Sequence, residues 1–194
     1  MLLALTLKLW IVIGNIQITK NSISSVPLIR VEGFSERQNK QLQKIHRRLL
    51  KRAERYPVGT EASATYTMDL RELSVVKGTT RSTTIRSHDI PYIGVHNHPS
   101  GYTLGYEDVE RFLLNPEMKM ISAVGNNGNI YLLQKTEDYS FAEFTTYLNN
   151  SMINRFGTTD LQEIAQKFTP DEYVEFCEKA WKDAENYGFR YYTA

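Results

Sequence analysis

His96, Asn97 and His98 put two imidazoles one residue apart, and Asp108 follows ten residues after the second of them. On an extended backbone, side chains at i and i+2 share a face, so this pair can aim two nitrogen donors at one point. Pro99 ends the strand and Gly101 permits a sharp turn, so the chain can fold back and offer a carboxylate from the next helix. Two imidazoles and one carboxylate, with a fourth position open, commonly hold a catalytic zinc ion that acidifies water and polarises a carbonyl. A His-x-His pair is by itself a weak motif, and its placement is what strengthens it.

Three elements must position these residues. Residues 90–95 read as a short buried strand that delivers the histidines at its C-terminal end, where sites gather in α/β sheets. Gly105 is an acceptable N-cap, so Gly105-Tyr106-Glu107-Asp108 opens a helix with Asp108 in its first turn; that helix, 106–114, stops before Pro116. Upstream, residues 60–69 alternate Ala62, Ala64, Tyr66 and Met68 against polar neighbours, the period of a half-buried strand with Glu61 at its start.

The run His96-Asn97-His98-Pro99-Ser100-Gly101 followed by a helix-opening Asp108 resembles the JAMM (MPN-plus, JAB) zinc metallopeptidase signature. Asn97 and Ser100-Gly101 are most similar to its RadC-like branch. The resemblance implies a three-layer, mixed-sheet α/β core of the cytidine-deaminase-like kind, Zn2+ held by His96, His98 and Asp108, and hydrolysis of a peptide or isopeptide bond. It also makes Glu61 the general base, since the block from Glu61 through Val75, Gly78 and Ser82 to Ile85 resembles the segment that carries the family glutamate; Glu54 and Glu72 are nearby alternatives. The chain departs from the family pattern twice. Five residues rather than six follow Pro99, and the position expected to be serine is Gly105. The resemblance gives that serine hydroxyl a role in stabilising the tetrahedral intermediate, for which Ser100, Thr103 and Tyr106 are the substitutes at hand. Glu107 is the replacement ligand should the shorter loop misplace Asp108.

The whole chain agrees with one compact unit. Its 194 residues suit one core plus an appendage, and a net charge of +1 argues against binding nucleic acid by global charge. One cysteine, Cys177, excludes an intramolecular disulfide framework and a cysteine zinc knuckle, which makes a reducing compartment the default. Residues 1–34 read as an N-terminal β-hairpin (5–9 with 16–19) and a linker over 21–27, with a signal-like leader as the other reading of the apolar start. That start is too short for a membrane span. Residues 35–137 form the expected metallopeptidase core, and 138–194 a helical extension.

Residues 35–55 form a helix with a Ser35-x-x-Gln38 capping box and an apolar stripe of Leu42, Ile45, Leu49 and Ala53. Its other face carries Lys44, Arg47, Arg48, Lys51, Arg52 and Arg55, which reads first as a solvated face. Strands over 119–124 and 129–134 flank the turn Gly125-Asn126-Asn127-Gly128. Helices are expected after Ser140, over 160–167, and after the Thr169-Pro170-Asp171-Glu172 start. His46 and His88 carry no ligand motif, the former reading as a surface or edge residue.

The flanks, from Val26-Pro27-Leu28-Ile29 to the tyrosine-rich tail, resemble JAMM-like proteins of phages and other mobile elements, which implies a cytoplasmic setting. Three readings follow: a zinc peptidase acting on a peptide or protein, a non-catalytic scaffold of the same family, and a nucleic-acid-associated protein using Arg47, Arg48 and Lys51.

Overall fold

In chain order the elements are α1 (Lys20–Ser25), α2 (Glu36–Ala53), β1 (Thr60–Thr67), β2 (Glu72–Thr80), β3 (Tyr92–His98), α3 (Tyr106–Leu113), β4 (Met118–Gly125), β5 (Ile130–Lys135), α4 (Phe141–Phe156), α5 (Leu161–Lys167), α6 (Pro170–Asp183), a 3-10 turn (Ala184–Tyr187) and β6 (Phe189–Thr193). They come from a computed structural model, which describes residues 14–80 and 82–194. The strands make one sheet in the order β2-β1-β3-β4-β5-β6. Every neighbouring pair is antiparallel except β3 and β4, which run parallel. A parallel pair needs a crossover, and α3 supplies it.

Alternation along the strands sorts side chains onto two apolar faces. Ala62, Ala64, Ile93, Val95, Val124 and Leu132 meet Leu42, Ile45 and Leu49 of α2 on one face. Tyr92, Ile121, Leu133 and Phe189 meet Val109, Phe112, Phe144, Cys177 and Trp181 on the other. The result is an α/β fold with helices on both sides of a mixed six-stranded sheet. Among the described residues, no helix is long and apolar enough to cross a membrane.

Local chemistry accounts for the helix ends. Ser35 Oγ accepts from the Gln38 amide, and the Gln38 side chain accepts from the Ser35 amide, satisfying two donors that the first turn of α2 leaves open. Thr169 and Glu172 repeat this at α6 with Pro170 in the first turn. Gly157 ends α4 at φ 77°, a left-handed conformation that glycine adopts without a Cβ penalty.

Two parts of the chain differ from expectation. Residues 5–9 of the expected hairpin lie outside the described residues, and 16–19 form no strand. Instead the Ile16 amide donates to the Pro99 carbonyl (2.8 Å) and the Ile16 carbonyl accepts from Asn126 Nδ2 (2.8 Å), so this backbone bonds the loop after β3 and the turn after β4. The expected linker over 21–27 is largely α1, started by a Thr19–Ser22 capping box.

The segment 138–194 is no appendage. β6 pairs with β5 from Lys135↔Phe189 to Tyr131↔Thr193, and α4 and α6 share one core with β3, β4 and α3. Trp181 Nε1 donates to the Leu104 carbonyl at 2.9 Å, tying α6 to the loop ahead of α3.

Candidate metal centre

β3 lies between β1 and β4, with His96 beside Ser63 and Ala123 and His98 beside Gly125. These small neighbours leave room for two imidazoles on one face. His96 Nε2 and His98 Nε2 lie 2.8 Å apart. Asp108 comes from the first turn of α3, where Oδ2 accepts from the Gly105 amide at 2.9 Å and is thereby aimed back across the turn. Its Oδ2 is 3.2 Å from His98 Nε2 and its Oδ1 3.4 Å from His96 Nε2. The His96 side chain is 1% exposed, and those of His98 and Asp108 are 13% and 18% exposed.

This group could hold a metal ion. A tetrahedral ion with bonds of about 2.0–2.2 Å has donor–donor edges of about 3.3–3.6 Å. The two carboxylate–imidazole separations fall near that range, and the imidazole–imidazole one is shorter. Chemistry agrees with geometry. A carbonyl only accepts, so the Tyr102 carbonyl 3.0 Å from His98 Nδ1 places a proton on that nitrogen and leaves Nε2 to face the cluster. Lone pairs of His98 and Asp108 then converge in a buried space beside His96 Nε2, an arrangement that a cation among them stabilises.

Without a metal, that cation is a proton. Burial disfavours the charged imidazole of His98, but the hydrogen bond and charge of Asp108, the charge of Glu61 and the Tyr102 carbonyl outweigh it and push the pKa up to about 9. Burial also disfavours charge on Asp108, yet the two histidines hold its carboxyl well below the ordinary value. A metal must therefore displace a proton from His98. Affinity is expected to rise about tenfold per pH unit from pH 6 towards 9 and then level off, checked by competition titration with a chelating dye. In the metal-free protein, the stability from the His98 proton is complete below pH 6.5 and is lost as pH rises through about 9.

Glu61, the second residue of β1, lines the same cleft as His98 and Asp108, a cavity of about 160 Å³ that also includes Ser100, Thr103, Glu107, Arg111 and Tyr173. Asn97, between the two histidines, sets the backbone on either side of it. Asn97 Oδ1 accepts from the Ala62 amide (2.7 Å), while Nδ2 donates to the Thr60 carbonyl (3.4 Å) and to Asn126 Oδ1 (3.0 Å). The peptide groups flanking Glu61 are thus bound to the strand that carries the imidazoles, where the β1–β2 register slips between Thr60 and Ala62. The alternatives lie elsewhere. Glu54 is the exposed C-cap of α2, and Glu72 accepts from Tyr66 and pairs with Arg52.

Of the hydroxyls named as substitutes for a residue-105 side chain, Ser100 lines the cleft and accepts a long bond from the Tyr102 amide. Thr103 also lines it, with its hydroxyl 3.0 Å from that of Tyr191. Tyr106 points away, its hydroxyl 3.5 Å from Asn149 of α4. Asp108 reaches the cluster, so Glu107, on the cleft wall, is not needed as its replacement. Sequence reasoning missed Asn97 and Tyr173. In the sequence Asn97 is legible as a motif residue between the histidines, with nothing to point to its bonds across to β1, and Tyr173 only as one more aromatic on a helical stripe.

On α2, Arg47 bonds the carbonyls of Ser24 and Val26, clasping α1, whereas Arg48 and Lys51 are exposed. His46 is buried rather than at the surface; its Nε2 is 2.8 Å from Ser122 Oγ, and burial lowers its pKa to about 3. His88 contacts Thr65. Comparison of the chain with family models, with curated proteins and with solved structures returned no match. The functional reading rests on the cleft.

Proposed function

We propose that the protein is a zinc-dependent hydrolase cleaving a peptide or isopeptide bond in a peptide or protein substrate, of the JAMM type and its RadC-like branch that the sequence resembles. The observation that carries this reading is that His98 and Asp108, which with the buried His96 make up the donor set, line one cleft together with Glu61. Zinc, when bound, supplies an acidified water and a polarised carbonyl. Glu61 takes a proton as water oxygen bonds to the carbonyl carbon, then delivers it to the amide nitrogen as the carbon–nitrogen bond breaks, so the amine leaves neutral. The Tyr102 carbonyl orients the His98 imidazole, and the Asn97 amide holds the backbone of Glu61 in register with the strand that carries both histidines. Among the basic residues of α2, Arg47 is engaged within the fold, which favours a protein substrate over nucleic acid.

Glu61→Gln keeps the shape of the side chain and removes its basicity. The variant is expected to retain one zinc per chain and to lose about 10²- to 10⁴-fold in hydrolysis of a panel of fluorogenic peptides and lysine-linked isopeptides. Zinc-loaded wild type that leaves the whole panel intact favours the scaffold reading, to which Gly105 and the short spacer lend weight.

A further inference from the structure

We propose that the outward face of α2 is a docking surface for duplex DNA, held through its phosphates and without regard to sequence. The inference stands apart from the hydrolase reading and goes beyond it, since α2 supplies no residue to the cleft.

Charge is divided along the chain. Residues 20–55 contain ten Lys and Arg against three Glu, whereas residues 56–194 contain twelve against nineteen Asp and Glu, so a net charge of +1 hides a basic segment. Within it Arg37, Lys40, Lys44, Arg48 and Lys51 follow one another on α2 at intervals of three or four residues, and Arg55 continues the series just past the helix. At 3.6 residues per turn, the five on α2 fall within an arc of about 80° and extend over about 21 Å, with neighbours about 4.5–6 Å apart along the axis. All six are exposed, on the side of α2 away from Leu42, Ile45 and Leu49. Lys40 Nζ lies 3.9 Å from Glu36, and none of the other five is in an ion pair among the described residues. Across the sheet the cations are paired, Arg155 with Glu172, Lys167 with Glu163 and Lys179 with Asp183.

Like charges three and four residues apart repel one another, and a regular line of anions laid against them removes that cost. Duplex DNA is such a line, with one phosphate charge per about 1.7 Å of axis and counterions to release. The neighbourhood of the row selects against other polyanionic partners. An amphipathic helix binds a membrane by its apolar face, and that of α2 is buried against the sheet. No large apolar side chain is exposed on α2, which leaves neither the anchors that hold a protein partner nor the aromatic platforms on which single strands stack. Alternation along β3 sends Ile93 and Val95 toward α2, and Tyr92, His96 and His98 toward the opposite face. A duplex on α2 therefore leaves the cleft open to a protein substrate, and DNA is a tether rather than the molecule cleaved.

The test is fluorescence anisotropy of a labelled DNA duplex of about 20 base pairs titrated with the full chain. With four to six phosphates neutralised, log affinity is expected to fall against log salt with a slope of about −3.6 to −5.4, a loss of about 10²- to 10³-fold between about 50 and 200 mM. Lys44→Gln, Arg48→Gln and Lys51→Gln together are expected to bring the slope about 2.7 closer to zero and to weaken binding at least about tenfold at the lower salt, with the melting temperature unchanged. Lys167→Gln, Lys179→Gln and Lys182→Gln together remove the same charge on the other side of the sheet and are expected to leave duplex binding within about twofold of wild type. No binding at low salt, a flat salt response, or equal losses in the two triple variants overturns the inference. So does tighter binding of a single strand, an RNA duplex, polyglutamate or phosphatidylserine vesicles than of the DNA duplex.

Discussion

Protein carrying His96→Ala and His98→Ala together is expected to emerge from gel filtration without zinc, whereas wild type carries one ion per chain. The two Nε2 atoms and the Asp108 carboxylate face one another across 2.8–3.4 Å, and no other group of three His, Cys, Asp or Glu donors occurs among the described residues. Losing a partner that merely orients a ligand costs about 10–100-fold in metal affinity, so losing a ligand itself should exceed about 100-fold. A second readout separates metal loss from misfolding. Ligand binding to the native state adds about 4 kcal/mol of stability at a thousandfold excess over Kd, so zinc is expected to raise the melting temperature of wild type and leave the double variant unmoved. Stoichiometric zinc in the double variant would place the ion elsewhere.

A chain ended at residue 137 is expected not to fold. Cutting there removes β6 from the sheet edge and strips Phe144, Leu148, Met152, Trp181 and Phe189 from the core they share with Tyr92, Phe112, Ile121 and Leu133. Each large apolar side chain returned to water costs about 1.5–3 kcal/mol, so five of them cost about 7.5–15 kcal/mol, comparable with the roughly 5–15 kcal/mol by which a domain is stable. The Trp181 bond to the Leu104 carbonyl and the Tyr173 bond to the Tyr106 amide go as well, loosening the start of α3 and hence Asp108. Circular dichroism and thermal melting decide this: a cooperative melt from the shortened chain would show that residues 138–194 are an accessory after all.

That expectation runs against the division drawn from sequence, and the reason is physical. Aromatic residues at helical spacing marked α4 and α6 as amphipathic, but spacing says only that a face is buried, not against what. The last strand was harder still to see. Phe189-Arg190-Tyr191-Tyr192 is too short to carry a period of its own, and it becomes a strand because β5 offers a free edge beside it. Residues 14–19 failed in the opposite direction. Ile16-Gln17-Ile18-Thr19 alternates as a strand does, yet Ile16 finds its partners in Pro99 and Asn126.

What the chain determined locally was sound wherever the physics is local. The capping boxes at Ser35 and Thr169, the left-handed Gly157, the turn between β4 and β5, and the period-two histidines that close β3 each depend on residues within a few positions of one another. Tertiary structure decided what spans the sheet. Asn97 reaches Ala62 across 35 residues, Tyr173 reaches Tyr106 across 67 and Asn126 reaches Ile16 across 110, and no short-range pattern encodes such meetings. Two imidazoles can be placed by the pleat of a single strand. Bringing Asp108, Glu61 and Tyr173 to the same cavity takes the packing of helices on both faces of the sheet, because each side chain is carried by an element whose position its own neighbours in sequence do not set.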